Sequence, residues 1–491
     1  MQFECFEGDL LSLQTDLIAF GTYTDSAWVE SPGLNTLNAA LEGLLKTVAD
    51  EEGFEGKDGQ NVKLHTHGRV GPKRIVLFGL GSSGNMDART LAARAARIAR
   101  STGLAHVTVV NPNGAEDAGT AMVEGALLGH YSFDRWKTEN VKESKLKKVQ
   151  LVDASVSNAD IQNTMRRVDG VTLGRDLVNE PPVVATPSYL VDQARQIAKE
   201  NNLECNILGR KELEAKKMKL LLAVSAGSCE EPFLIHLTYR PEGADENTPS
   251  VAVVGKGLTF DAGGLCLKPP GSMGDMKLDM AGGAAVLGMM KAIDAVKPNV
   301  VVHAMVPTSE NLLGEAAYKP GDVITGYAGK TVEIVNTDAE GRLILADALA
   351  YAVEQGVDEI IDLATLTGAI CVALGNESAG VFGNNEQLRD EVVASAEQAG
   401  ESVWPMPLDK RLKKQLKSSI ADMTNCGERW GGAITAALFL SEFVGDVDWV
   451  HMDIAGPSFA AKDRDLTRKG GTGFAITTLL SYLERAGDRL K

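Results

Sequence analysis

Asp338, Glu340 and Arg342 stand within five positions of TVEIVNTDAEGRLILADAL, between an apolar stretch and a helix-like pattern. Read as a strand TVEIVN followed by a helix GRLILADALAYAVEQG, the segment puts both acids at a strand's carboxyl end, where open α/β sheets bind ligands. Residues two apart on an extended chain point to the same side. Two carboxylates aimed at one point repel, and without relief one of them takes up a proton. A divalent cation would relieve the pair; so would a lysine or an ordinary solvated turn. A second stretch, residues 250–290, repeats the arrangement in SVAVVGKGLTFDAGGLCLKPPGSMGDMKLDMAGGAAVLGMM. Its strand ends in Gly255-Lys256-Gly257, and Asp261, Lys268 and Asp279 follow among glycines that permit close backbone approach. Asp279 opens a helical pattern, where an acid is favoured by the helix dipole, so alone it reads as an N-terminal cap. Capping does not explain lysines and acids gathered at the ends of two apolar strands.

Other candidate chemistry is weaker. Gly79-Leu80-Gly81-Ser82-Ser83-Gly84 follows the strand KRIVLF in the manner of a dinucleotide-binding turn. The next strand, HVTVV, ends in Asn111-Pro112 and not in the acid that would take a ribose hydroxyl, so a tight strand-to-helix turn is the plainer reading. His65 and His67 share a strand face without a third ligand, and His303 and His451 lie inside apolar strands, as core residues do. Neither HExxH nor G-x-S-x-G occurs, which leaves histidine-bound zinc and a serine triad unsupported.

The elements that must position these groups alternate. DLIAFGTY, KRIVLFGLG and AHVTVVNP read as strands and ARTLAARAARIARSTG as a helix, while ENVKESKLKKVQLVD reads as charged surface or an edge. NADIQNTMRRVDGVTLGRDLVN reads as one long helix, broken by the prolines of EPPVVATPSYL. Strand–helix alternation then resumes through PSVAVVGKG, VVVHAMVP, DEIIDLAT and DWVHMDI. The expected fold is α/β with two domains, each a mainly parallel sheet flanked by helices, and a larger C-terminal catalytic domain. The expected division is an N-terminal domain over 1–160, a linker helix and proline-rich turn over 161–187, and a C-terminal domain over 188–491.

The chain has 491 residues, 44% of them hydrophobic, and 49 basic against 66 acidic side chains give a net charge of −17. That charge opposes non-specific nucleic-acid binding, which needs a basic footprint. The six cysteines are scattered without a CxxC pair and read as reduced, mostly buried thiols of an intracellular protein. The acidic start MQFECFEGDLLSLQTD lacks the positive charge of a secretory signal, and no apolar run is long enough to span a bilayer. Cytoplasmic residence is expected.

GKGLTFDAGG with LKPPGSMGDMKLDMAGGAAV, together with NTDAEGRLILADAL, resembles the two signatures of the leucyl aminopeptidase family of two-metal exopeptidases. The likeness continues through LVNEPPVVATPSYL, DLATLTGA, RWGGAITAALFL and HMDIAGP and covers residues 165–491; the first 150 residues match in layout only. Ala262 departs from the pattern, where a serine is usual.

Carried over position by position, the resemblance implies that Lys256, Asp261, Asp279, Asp338 and Glu340 are metal ligands. Lys268 and Arg342 would be catalytic residues outside the coordination shell, and Met276, Thr365, Gly368 and Ala455 would line the pocket for the first side chain. It implies cleavage of N-terminal leucine and other apolar residues from peptides, a homohexamer, Zn²⁺ and/or Mn²⁺ at two sites, and bicarbonate at Arg342. Two such cations about 3.5–4 Å apart would bridge an activated hydroxide. Lys256 could ligate only as the neutral amine, because a lysine in water, with a pKa of about 10.4, is protonated at neutral pH. An NAD-dependent oxidoreductase using the GLGSSG turn and a DNA-binding architectural protein remain the alternatives.

Overall fold

The computed structural model describes residues 1–25, 31–82, 87–112, 114 and 118–490. It divides into two compact units: Met1–Val168 with Asp463–Arg468, and Asp169–Lys462 with Lys469–Lys491. The boundary expected at 160 thus falls at Val168, inside the single helix Asn158–Asn179, and a short segment near the C-terminus groups with the first unit.

In the first unit six strands run in the order Gln2–Phe6, Lys148–Val152, His106–Val110, Leu17–Thr22, Arg74–Gly79, Asn61–His65. All neighbours are parallel except the last pair. Period-two alternation sends Leu17 and Ala19 to one core and Ile18 and Phe20 to the other, so helices cover both faces. Asp87–Thr102 packs against Ala118–His130 through small residues: a Cβ on Gly125 would stand 2.0 Å from the Arg89 carbonyl oxygen. Lys148–Val152, read from its charged flank as surface or edge, is an interior strand, since its buried VQLV half pairs on both sides. Of the GLGSSG turn, Ser83 and Gly84 lie outside the described residues. The Leu80 and Gly81 amides donate to the carbonyls of Thr22 and Gly56, so these N–H groups serve the turn itself.

In the second unit eight strands run Val403–Pro405, Ala379–Gly383, Asp448–Asp453, Glu359–Ala364, Ser250–Gly255, Val301–Asn311, Phe233–Tyr239, Glu204–Leu208. The four central ones are mutually parallel, and Gly257–Asp261 adds alongside the far end of Val301–Asn311. Ala252 and Val254 join the core built around the helix Gly341–Glu354. Against the same strands packs the helix Ala281–Lys291, so closely that a Cβ on Gly282 would stand 2.2 Å from the Leu363 carbonyl oxygen. TVEIVN departs from expectation: only Thr331–Glu333 is strand, and it belongs to a separate three-stranded sheet with Val323–Thr325 and Met423–Thr424. The thiols also differ, for Cys5, Cys205 and Cys229 are exposed and the other three half-buried. Among the described residues no helix is long and apolar enough to cross a membrane.

His303 is not simply a core residue. Its Nδ1 lies 2.9 Å from Nε2 of His236, whose Nδ1 lies 3.3 Å from the Tyr351 hydroxyl. Burial, helped by the neighbouring His303, pulls His236 from 6.5 down to about 4. Between those values the unfolded chain holds a proton that the folded one refuses, so stability rises with pH there and is lost as pH falls. Urea unfolding should show this loss below pH 6.5, and His236→Gln should flatten the slope by up to roughly one proton. An unchanged slope would assign the acid sensitivity elsewhere.

Candidate metal centre and active site

The sheet delivers the chemistry to one edge. Ser250–Gly255 ends at Lys256, whose amide donates to the Leu363 carbonyl at 3.0 Å, so the lysine leaves the sheet beside the end of Glu359–Ala364. Asp261 closes the strand Gly257–Asp261, and Asp279 lies in the 3₁₀ turn Met276–Met280 before the helix Ala281–Lys291. Asp279 caps nothing: its Oδ1 accepts from the Thr365 hydroxyl at 2.7 Å. Asp338 and Glu340 come from the turn after Thr331–Glu333 and not from extended chain, with Glu340 at the start of the helix Gly341–Glu354. Buried Asn425 fixes that turn, its side chain accepting from Val335 N at 2.9 Å and donating to the Asn336 carbonyl at 2.6 Å.

These parts converge as two crossed pairs. Lys256 Nζ lies 2.7 Å from Asp279 and 2.8 Å from Glu340, and donates to the Thr365 carbonyl at 3.1 Å. Lys268 Nζ lies 2.8 Å from Asp261 and 2.7 Å from Asp338. Side-chain exposure is 3% for Lys256 but 15% for Lys268. Asp261 is steered by Gly263 N and Asn311 Nδ2, each donating at 2.8 Å. The backbone at Gly263 (φ +87°) is one that only glycine takes easily, and a Cβ there would stand 2.7 Å from Asp338 Oδ1.

The charge balance is strained. Four carboxylates face two ammonium groups. Burial raises Asp279 to about 8, with Glu340 and Asp261 adding to the rise and Lys256 opposing it. Burial likewise raises Asp261 and Asp338 against the pull of Lys268. Burial alone would lower Lys256 and Lys268, but the surrounding carboxylates outweigh it and hold both above the ordinary lysine value. Glu340 Oε2 is buried without a hydrogen-bond partner. Oxygens of Asp261, Asp338 and Glu340 all lie within 4.8 Å of one another, a spacing at which one ion can be shared. An unpartnered carboxylate oxygen among excess negative charge is the donor set a hard divalent cation needs, so the residues fit such a group.

Arg342 stands apart from the crossed pairs. It is buried in the first turn of Gly341–Glu354, donates from Nη1 to the Asn425 carbonyl at 2.9 Å, and keeps a buried Nε without a partner. Thr365 is buried between Asp279 and Lys256; Met276 is half-buried on the turn that carries Asp279. Gly368 opens the helix Gly368–Leu374, and a Cβ there would meet nothing within 4 Å. Ala455 is half-buried two residues beyond Asp453.

Besides Asn425, three further supports were not evident in the sequence. Asn311 and Gly341 carried no signal that separates them from ordinary strand and helix residues. Asp453 did carry one, an acid closing the apolar strand DWVHMD, the same pattern that marked Lys256.

The fold and the site together define an α/β protein with a buried carboxylate–lysine centre, suited to divalent cations, at the carboxyl edge of a parallel sheet. Residues 172–480 match the model for the cytosol aminopeptidase family, catalytic domain, and residues 21–140 the model for its N-terminal domain. The chain belongs to the cytosol aminopeptidase family and is a metal-dependent aminopeptidase. It is 43% identical to a probable cytosol aminopeptidase of Solibacter usitatus over 86% of this chain and 89% of that one. Leucine aminopeptidase 1 of Arabidopsis thaliana is 40% identical over 99% of this chain and 96% of its own length. Among solved structures, a tomato leucine aminopeptidase mutant superposes with a TM-score of 0.90 at 38% identity, covering 99% of this chain and 96% of that one. The bottromycin maturation enzyme BotP in complex with Mn gives 0.84 at 32% identity, covering 96% of this chain and 100% of that one. With aminopeptidases as the matched family and relatives, the oxidoreductase and DNA-binding alternatives are unsupported.

Gly341 generates a direct test. A Cβ there would stand 2.5 Å from Lys256 Cε and 2.6 Å from Nζ, and that amine, held by three acceptors, cannot swing aside. Gly341→Ala should therefore cost about 1–3 kcal/mol in denaturant unfolding, as overpacking does. Gly271→Ala, where a Cβ meets nothing within 4 Å, should change stability by less than about 0.5 kcal/mol.

Proposed function

We propose that this aminopeptidase removes N-terminal leucine and other apolar residues from peptides, with Lys256, Asp261, Asp279, Asp338 and Glu340 holding two divalent cations. The observation that supports this reading is the buried excess of carboxylate over ammonium, with Glu340 Oε2 unpartnered inside it. When bound, the two cations supply Lewis-acid activation of water and of the scissile carbonyl, and a bicarbonate held by Arg342 supplies an acid–base group. Zn²⁺ or Mn²⁺ is proposed, the latter in keeping with the manganese in the BotP complex.

The chain's own residues then divide the work. Asp279, oriented by the Thr365 hydroxyl, accepts a hydrogen bond from the substrate's free α-amine and so restricts attack to the first peptide bond. Lys256 would hold a cation as the neutral amine, since a cation beside its nitrogen favours the unprotonated form. Lys268, more exposed and on the other pair of acids, stays charged and stabilises negative charge developing on the carbonyl oxygen. Arg342, whose buried Nε has no hydrogen-bond partner, would hold the bicarbonate anion. Met276, Thr365, Gly368 and Ala455 line the pocket for the first side chain. Assembly as a homohexamer and cytoplasmic residence follow from the family resemblance. The net charge of −17 disfavours nucleic acid as a partner.

Leucine amide should be hydrolysed and N-acetylleucine amide should not; comparable turnover of both would remove the amine anchor. The two lysines give the sharper separation. Lys256→Ala should lower bound metal towards one ion per chain, with activity partly restored at high metal. Lys268→Ala should retain two ions and lose roughly 10²–10³-fold in kcat, without rescue by added metal. Metal stoichiometry and kcat measured side by side decide between them, and the opposite pattern would exchange the two roles.

A further inference from the structure

The strand Asp448–Asp453 ends in a fully buried aspartate paired in register with Ala364, where the two parallel strands part. Beyond this point the strands give way to the segments that carry Thr365 and Gly368 on one side and Ala455 on the other. Asp453 joins them. Its Oδ1 accepts from the amides of Leu366 at 3.2 Å, Thr367 at 3.4 Å and Ala455 at 3.3 Å, and its Oδ2 accepts from the Thr367 hydroxyl at 2.6 Å. That hydroxyl in turn accepts from Ile370 N at 3.1 Å, which fixes the start of the helix Gly368–Leu374. One carboxylate therefore gathers three backbone amides and a hydroxyl from two segments that no strand pairing holds.

A buried carboxylate is costly, and here His451, earlier on the same strand, offsets part of the cost through its charge. An aliphatic residue would fill the same volume at the strand's end without that cost, but it would leave the amides of Leu366, Thr367 and Ala455 unsatisfied. The acid serves the loops beyond the sheet. One oxygen takes the amides of both segments and the other takes the Thr367 hydroxyl, so a single side chain serves all four donors.

We propose that Asp453 is a positioning residue that sets the shape of the pocket for the substrate's first side chain, by holding Thr365–Gly368 against Ala455. The inference rests on the pocket assignment made above. The hydrogen bonds of Asp453 go to Leu366, Thr367 and Ala455 and not to the lysine–carboxylate pairs, so it acts through Thr367 and the backbone. Releasing the clamp lets the pocket walls move, and discrimination between side chains differing by a few methylenes depends on those walls.

The test compares kcat/KM for leucine amide and alanine amide in Asp453→Ala, Asp453→Asn and Thr367→Val, beside Ala455→Leu as a direct probe of the pocket. Calorimetric binding of free leucine and alanine gives a readout independent of turnover, and thermal unfolding reports folding. Asp453→Ala should lower the leucine-over-alanine preference by roughly tenfold, mostly through KM and leucine binding, with bound metal unchanged. Thr367→Val should act in the same direction more weakly. Asp453→Asn, which keeps an oxygen for the amides, should recover most of the preference. If Asp453→Ala does not fold, Thr367→Val and Asp453→Asn still read the clamp. Wild-type preference in Thr367→Val and in any folded Asp453→Ala protein, with only the unfolding temperature lowered, would reduce Asp453 to a structural residue and overturn the inference. If Ala455→Leu also leaves the preference unchanged, the pocket assignment itself fails.

Discussion

Everything at the centre follows from burying three carboxylates, and half-burying a fourth in Asp338, where two lysines answer them. Two like charges 4 Å apart repel by about 4 kcal/mol even at an effective dielectric of 20, which is comparable with a sizeable part of a domain's whole stability. The rise of Asp279 to about 8 is the same repulsion and desolvation expressed as a proton affinity. A protein keeps such an arrangement only if the remainder of the fold over-determines it. Here the over-determination is visible as fixed acceptors and close backbones: Asn311 on Asp261, Thr365 on Asp279, and Gly341 leaving room for Lys256 and nothing larger. A ligand of opposite charge that binds only the folded chain returns stability by mass action, so site and stability are linked through the same carboxylates.

Topology makes the crowding possible. Four adjacent parallel strands end on one edge, and from Ser250–Gly255 the chain crosses to a neighbour on either side, first Val301–Asn311 and later Glu359–Ala364. Loops leaving such an edge diverge to opposite sides and open a crevice between them. The two crossover helices, Ala281–Lys291 and Gly341–Glu354, begin there, immediately after Met280 and Glu340. Both acids next to these starts are buried, yet neither caps its helix. Their side chains are turned to Lys256, which places backbone polarity and carboxylate charge around one volume.

Much of this was legible in the residues. The apolar strand ending abruptly in Lys256, and the acids Asp338 and Glu340 two positions apart, drew attention to groups that the fold does bring close together, because hydrophobic runs interrupted by charge have few structural uses. TVEIVN misled for a physical reason. A short β-rich run has the same alternation whether it lies in the main sheet or in a small separate one, and only pairing with Met423–Thr424, distant in sequence, decides. Asn425, which fixes the turn bearing Asp338, was equally invisible, since its partners Val335 and Asn336 are brought to it by that pairing. The thiols were misjudged because average burial says little about individual cysteines placed on exposed elements. Lys148–Val152 shows the converse error: the charged residues lie before the strand or at its first position, Lys148, while VQLV alternates between two buried faces.

The two lysines show how composition underdetermines chemistry and surroundings complete it. Both carry a raised proton affinity and both face a pair of acids. Lys256 has in addition a backbone carbonyl as third acceptor and a glycine pressed against its stem, and is almost wholly buried, so its amine is fixed in one place. Lys268 lies on the loop after Gly263 and Gly264, anchored by its own amide to the Ala262 carbonyl, with its side chain reaching back to Asp261 and Asp338. Its ammonium is held by hydrogen bonds to those two carboxylates, with no third acceptor among the described residues. An amine fixed at a point suits coordination, which requires one geometry; a more exposed ammonium with one acceptor fewer can follow a charge that appears during reaction. The difference lies in what surrounds each side chain, and this is why two identical residues twelve positions apart can serve one centre in different ways.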